Sequence, residues 1–479
     1  MNEEEGEMMN QDSKVKAHCI QEGWYFEADG KRLGPYSFEE TQEEAFIGNL
    51  VEELGVSGVE IAAAKLKDFQ REMNIDELDS ILSSTIKRDL PDKLITFLAM
   101  LLAQTEADSF NITFEGESCT GKTYIPLEVI EYFPQEEQMV LGGASPTSLI
   151  HDAGQWDKKR KVIVLDFGGK IIIFLDQPHW MLMEKLRPFL SHDRKVLVYK
   201  ITDRSEKYGL KTKNVELRGF PVVIFCTTKP ALDDQESTRV WYLSPSADQR
   251  KLKESLEVLD DKISDRTRYR QMIENDPRRI WLRTRVTYIR ASGVRSVIIP
   301  KGLRVLERFL AGRQSIAPRN QRDYPRLLTL IKGFALLNYF SRERISDSTI
   351  VANESDVEQA FQIYTAVAIP NELGISPETY DIYNMVIRPL MEKGMETTTE
   401  EISMQYRKVY GRPMSYTRLI KYILPSLESV GLISRRADPE DRRKSLISSR
   451  LMVPEHADSS KDLDLRNVTL LISKDSRQE

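Results

Sequence analysis

Hydrophobic and polar positions along the chain change period from block to block. Between residues 111 and 232, short apolar runs alternate with helical stretches: Asn111-Ile112-Thr113-Phe114, Val162-Ile163-Val164-Leu165, Ile171-Ile172-Ile173-Phe174-Leu175 and Pro221-Val222-Val223-Ile224-Phe225-Cys226. Such alternation predicts an α/β domain. Residues 76–106 read as two helices broken at Asp89-Leu90-Pro91-Asp92, and residues 266–368 read as helical, ending in Glu354–Phe361. A break at Ile369-Pro370-Asn371-Glu372-Leu373-Gly374 precedes a last block. That block reads as a helix over Tyr380–Glu392 and a second helix from Thr398-Thr399-Glu400-Glu401-Ile402, with acids at its positive end. After the turn Gly411-Arg412-Pro413 come a third helix from Ser415 and two strands, Gly431–Arg436 and Lys444–Ile447. Near the N-terminus, Asp29-Gly30 between Trp24–Ala28 and Arg32–Tyr36 predicts a hairpin. Ser37 then caps a helix, with Glu40 at the capping-box position.

The expected architecture is therefore an α/β core with a helical lid, a small hairpin–helix module before it and a helix–hairpin domain after it. The expected boundaries are 1–75, 76–265, 266–368 and 376–453, with a polar tail over 454–479. A chain of 479 residues has room for two to four such domains. No apolar run reaches the roughly 18 residues of a membrane span, so no membrane partner is expected. The acidic start MNEEEGEMMNQ is neither a secretory nor a transit signal. Cys19, Cys119 and Cys226 have no metal-ligand spacing, so a reduced cytoplasmic protein is expected. The formal net charge of −6 confines any nucleic-acid contact to local basic patches.

Chemistry enters directly after the first strand. Gly116-Glu117-Ser118-Cys119-Thr120-Gly121-Lys122-Thr123 is GxxxxGK[ST] between a strand and a helix. Gly116 and Gly121 permit the dihedrals that wrap amide N–H groups around an anion, and the following helix turns its positive end toward phosphates. Lys122 would reach the β and γ phosphates of ATP, and the Thr123 hydroxyl would ligate Mg²⁺. Asp176, at the end of its apolar run, would orient the same ion. Asp166 rivals it, and the two runs could form a hairpin with only the second strand in the central sheet. The helix Met181–Leu190 after Asp176 decides for Asp176. Gln177 follows where a catalytic glutamate would be expected. Glutamine holds a water but cannot accept its proton. Hydrolysis is then slow, or Glu184 or Asp166 supplies the base, or ATP is bound without turnover. Thr227 and Thr228 end the next run, where a polar residue would contact the γ-phosphate or its water.

Between these runs, two strands, Lys195–Ile201 and Asn214–Arg218, predict a basic hairpin. Its seven basic residues are Lys195, Lys200, Arg204, Lys207, Lys211, Lys213 and Arg218. This order of elements resembles the AAA+ clade with a pre-sensor-1 β-hairpin, which includes the MCM and superfamily-three helicases. The segments Glu236–Arg239 and Ser244–Gln249 resemble phage and mobile-element primase-helicase ATPases. The resemblance covers about residues 76–368. It implies a homo-oligomeric ring, a hexamer, with ATP sites between subunits. It also implies Arg239 as a finger in trans, a sensor-2 segment over Arg319–Leu328 with Arg322 and Arg326, and Lys207, Lys211 and Lys213 facing DNA in a pore. The last block resembles a winged helix with a MarR-type wing, so Arg418 and Lys421 on its third helix and Arg442 and Arg443 on its wing would contact DNA. The N-terminal hairpin resembles a GYF-like peptide-binding fold; the plainer reading is an appended module, which could recruit a replication or regulatory partner. The expected activity is an ATP-driven DNA helicase or translocase, the alternative an ATP-switched initiator, loader or regulator.

Overall fold

The computed structural model describes residues 6–8, 15–20, 23–28, 31–36, 71–106, 108–143, 154–190, 196–203, 211–228, 239–311, 313, 316, 318–391, 396–439 and 445–449. The helix from Ser37, the hairpin tip with Arg204 and Lys207, Lys195, the wing tip with Arg442 and Arg443, and the polar tail lie outside them. The chain divides into two compact units, Met1–Asp381 and Ile382–Glu479.

The first unit opens with four strands, β1 (Gly6–Met8), β2 (Val15–Ile20), β3 (Gly23–Ala28) and β4 (Lys31–Tyr36), paired antiparallel in that order. Ala28 pairs with Lys31, as a two-residue hairpin at Asp29-Gly30 requires. The two strands before this hairpin were not expected. Helices α1 (Ile75–Leu82) and α2 (Leu90–Leu102) follow, α1 closed by a capping box between Asn74 and Glu77. The break between them turns on Arg88 and Asp89, both left-handed at φ 55 and 45. Pro91 then sits in the first turn of α2, where its missing N–H costs nothing.

Next come β5 (Asn111–Glu115), α3 (Tyr124–Ile130), β6 (Gln138–Leu141), β7 (Gln155–Asp157), β8 (Val162–Asp166) and β9 (Ile171–Phe174). After α4 (Trp180–Leu190) the chain forms β10 (Val196–Asp203), β11 (Lys211–Arg218), β12 (Val222–Thr227) and β13 (Val240–Leu243). Five of these strands make one sheet in the order β13-β5-β12-β9-β6, every neighbouring pair parallel. All five carboxyl ends therefore share one edge. Residues of β5, β9, β12 and β13 are buried throughout, as expected of strands covered on both faces.

One expectation is corrected here. Strand β8 does not form a hairpin with β9. It joins a second sheet, β10-β11-β8-β7, parallel to β11. The basic hairpin β10–β11 is thus built into a four-stranded sheet rather than standing free. Two connections, β8 to β9 and β11 to β12, pass side by side from this sheet into the central one. They touch at glycine: a Cβ on Gly219 would lie 2.3 Å from Gly168 N, and the Phe167 N–H donates to Arg218 O at 2.8 Å. No other residue fits that crossing. Phe174 and Phe225, stacked at 5.3 Å, lie in the apolar layer that the two sheets share with α4.

Residues 249–382 hold α5 (Gln249–Ser264), α6 (Arg266–Glu274), α7 (Pro277–Ala291), α8 (Val305–Leu310), α9 (Asn320–Leu337), α10 (Glu354–Leu373) and α11 (Pro377–Ile382). The expected all-helical stretch also contains β14 (Ser296–Ile298), β15 (Arg344–Ser346) and β16 (Thr349–Val351), in a sheet β14-β16-β15. Strands of three residues are too short to show a period. At Gly333 α9 presses onto α2, where a Cβ would meet Leu98 Cβ at 3.2 Å. Helix α10 runs through Pro370 to Leu373 and is capped by Gly374 (φ 82), so it occupies the segment expected as a break. Asn371 explains why: its Oδ1 accepts the Tyr242 N–H at 2.8 Å, and its Nδ2 donates to Tyr242 O and Val367 O, both at 3.0 Å. Tertiary bonds to the edge strand β13 hold the helix where proline would end it.

The second unit contains a wide helical turn over Tyr383–Ile387, α12 (Arg388–Met391), β17 (Thr397–Thr398) and α13 (Thr399–Tyr410), the last capped by Thr398 and Glu401. After Gly411 (φ 70) come α14 (Tyr416–Arg418), a second wide turn Leu419–Ile423, α15 (Leu424–Ser429), β18 (Ile433–Ala437) and β19 (Ser445–Ser449). The strands form an antiparallel sheet β17-β19-β18, whose two-residue β17 was not expected. The chain is thus of mixed α/β class with a parallel five-stranded sheet, and none of its described helices is long and apolar enough to cross a membrane.

Candidate functional site

Parallel sheets present loops at their carboxyl edge, and ligands of open α/β sheets bind there. Here that edge carries the loop Gly116–Thr123. Gly116 (φ 159), Cys119 (φ 68) and Gly121 (φ 102) bend it back on itself, so that the cradle closes over Thr120, whose hydroxyl donates to Glu117 O at 3.0 Å. A Cβ on Gly116 would meet Thr120 Oγ1 at 3.2 Å, a tight contact that would displace the hydroxyl by a few tenths of an ångström. Helical bonding starts at once, with the Ile125 N–H on Gly121 O at 3.0 Å. Thr123 caps the helix without a side-chain capping bond.

Lys122 is 7% exposed, and its ammonium donates to the Glu117 carbonyl. Burial pushes its pKa down, against the pull of Glu378, Cys226, Cys119 and Glu115. Beside it the Cys226 thiol donates to Lys122 O at 3.4 Å and is pushed up to about 12 by burial, with Lys122 and Asp176 its charged neighbours. Lys122 and Asp176 thus both stand near Cys226, one residue before the end of β12. Asp176 lies two residues past β9, exposed, its Oδ1 accepting the Gln177 N–H at 2.8 Å. The buried Thr227 hydroxyl donates to Gln177 Oε1 at 3.0 Å, while Thr228 is exposed. Asp166 ends β8 in the second sheet and accepts the Gly168 N–H at 2.9 Å.

Behind the loop stands a lysine that the sequence reading missed. Lys251 is buried on α5, donates to Thr120 O at 2.9 Å and pairs with the carboxylate of Asp89. Asp89 also accepts the Ser246 N–H at 2.9 Å, and burial, the largest influence on it, raises its pKa. No motif links residues 89, 120 and 251; only the fold joins them.

The remaining candidates are more scattered. Arg326 is corrected: it is buried, bonded to Val240 O and, at 3.2 Å, to Asp323 Oδ1, and burial lowers its pKa to about 10. Val240 pairs with Asn111, at the amino end of the sheet, so Arg326 anchors the edge opposite the loop. Arg322 is exposed. Arg319, three residues earlier, packs against Gly374, where a Cβ would stand 2.7 Å from its Nη1; burial lowers its pKa, with Asp323 and Tyr242 the first opposing groups. Arg239, half-buried, directly precedes β13, its Nη1 buried without a hydrogen-bond partner among the described residues. Lys213 pairs in register with Ile201 on the hairpin, and Lys211 with Asp203. In the second unit Lys421 is exposed and Arg418 half-buried.

Among the described residues no three His, Cys, Asp or Glu side chains come together as a metal site. Mg²⁺ bound with a nucleotide needs no such cage, since phosphates and waters supply most of its ligands. No protein-family model matches this chain, and no curated protein matches it.

Proposed function

We propose that the chain is a ring-forming P-loop ATPase of the AAA+ type that drives DNA unwinding or translocation, with a winged-helix second unit that holds duplex DNA. One observation carries the reading: Lys122, Asp176 and the Thr227–Gln177 pair converge on the carboxyl edge beside a glycine-bent loop. Loop amides and Lys122 would cradle the β and γ phosphates of ATP. Mg²⁺ would spread the phosphate charge, held by Thr123 and Asp176. Thr227 fixes the Gln177 amide, so Gln177 would aim a water at the γ-phosphate without taking its proton. Lys211 and Lys213 would follow a DNA backbone in the ring. Arg239 would act on a neighbouring subunit's site, and Arg319, with Arg322, is the better candidate in the sensor-2 segment.

The second reading, an ATP-switched initiator, loader or regulator, is favoured by Gln177 itself. Steady-state ATPase with and without single-stranded DNA separates the two. A translocase is stimulated by DNA and loses that stimulation when Lys211 and Lys213 are neutralised. A switch turns over slowly in both conditions and keeps its nucleotide bound.

A further inference from the structure

The loop shares its mouth with a residue more than 250 positions away in sequence. The Ser376 hydroxyl donates to Glu115 Oε1 at 3.1 Å, lies 2.9 Å from the Thr379 hydroxyl and accepts the Thr379 N–H at 3.2 Å. These bonds staple the start of α11 to the last residue of β5, one position before the loop. From there the half-exposed Glu378 reaches over the glycine. Its Oε2 stands 3.3 Å from the place of a Cβ on Gly116, against 3.7 Å for Lys122 Cδ. Glu378 is the strongest of the anionic influences on Lys122. A carboxylate, like a phosphate, offers only acceptor oxygens.

We propose that the Glu378 carboxylate stands in for a nucleotide phosphate in the resting chain, so that nucleotide enters only by displacing it. This regulation rests on the nucleotide reading of the same loop. A ligand that binds only the open state has its apparent affinity reduced by the open fraction. When opening precedes binding, the observed rate levels off with ligand concentration.

The test is equilibrium and stopped-flow binding of a fluorescent ATP analogue to the full chain, its Glu378→Gln and Glu378→Asp variants, and Lys122→Ala. Asp keeps the charge and shortens the reach by one methylene. Expected are about tenfold tighter binding in both Glu378 variants, roughly 1.4 kcal/mol, and a binding rate that rises linearly instead of levelling off. Tightening in the Gln variant alone would reduce the effect to bulk charge and overturn the proposal. Unchanged affinity in both variants, with loss of binding in Lys122→Ala, would sink the proposal and leave the nucleotide reading intact. Absence of binding by all four proteins would remove both.

Discussion

The carboxyl edge of the five-stranded sheet and the surface of the second unit carry similar side chains in opposite settings. At the sheet edge, where Asp176 alone of the charges discussed is exposed, the lysines are buried and tied: Lys122 to a loop carbonyl, Lys251 to Thr120 O and Asp89. In the second unit the core is apolar, built on residues such as Ile402, Leu419, Leu424, Leu427 and Ile447, and the charges lie outward. There Arg435 meets Glu428 at 2.8 Å and Arg436 meets Glu396 at 2.7 Å, both near solvent. A buried, bonded charge cannot change partner without leaving another group unpaired. An exposed one is worth little within the fold and is free to act on a polyanion outside it. Substitutions at the edge should therefore be large and specific, those in the second unit small and dependent on salt.

The largest effect is expected at Lys251. Lys251→Met leaves Asp89 buried without its counter-ion, which costs about 3–5 kcal/mol of folding stability. Urea unfolding measures it. The pH dependence gives a second reading with a definite sign. Burial already holds the Asp89 carboxyl above its usual value, so the folded chain keeps a proton that the unfolded chain releases from pH ~3.9 upward. The variant should regain stability as pH falls into that window and lose it as pH rises. A variant as stable as the parent at pH 7 would show that the pair contributes nothing, and the contrast with the second unit would weaken.

Lys122→Ala comes next, with about 2–5 kcal/mol of nucleotide affinity lost, as for any buried charge deprived of its partner. Isothermal titration with ATP and Mg²⁺ checks it; an undiminished affinity places the phosphates elsewhere.

Much of this edge was legible in the chain. Apolar runs announced the strands β9 and β12, and GxxxxGK[ST] announced the loop with β5 directly before it, because these signals are local. What failed was long-range. Nothing in Val162–Asp166 says that it pairs with β11 rather than β9; the Gly168–Gly219 crossing decides it, and those glycines are 51 positions apart in the numbering. Arg326 was named by its resemblance to a sensor-2 segment, and a resemblance cannot tell a buried arginine bonded to Val240 O from an exposed one. Lys251, Ser376 and Glu378 reach the loop through tertiary folding alone, and Pro370 misled because Asn371 compensates for it on the edge strand.

A middling effect tests the border between bound and reactive charge. Gln177 is held by Thr227 at 3.0 Å, so a glutamate there would inherit that placement. If Gln177 occupies the position of the general base, Gln177→Glu should accelerate hydrolysis by about 10²-fold, the low end of what a base supplies. The check is steady-state phosphate release at saturating ATP. A rate no higher than the parent's points to another carboxylate, such as Glu184, while Asp176→Asn should remove Mg²⁺-dependent turnover in either case.

The smallest effects are expected in the second unit, where they separate two kinds of contact. Arg418 lies on the helix that would enter the major groove, and Arg442 and Arg443 belong to the segment between β18 and β19. Each phosphate contact steepens log K against log salt by ~0.9 on duplex DNA. Removing Arg442 and Arg443 should then flatten the slope by ~1.8 and weaken binding to every sequence alike. Arg418→Ala, if that side chain reads a guanine edge, should cost about 1–3 kcal/mol on a preferred site only and leave the slope nearly unchanged. Fluorescence anisotropy with the full chain, run at several salt concentrations on a random and a selected duplex, distinguishes the two. Equal losses on both duplexes for Arg418→Ala would make it one more phosphate contact. No salt dependence in any of the proteins would make the second unit a protein-contact module, its outward charges serving partners other than DNA.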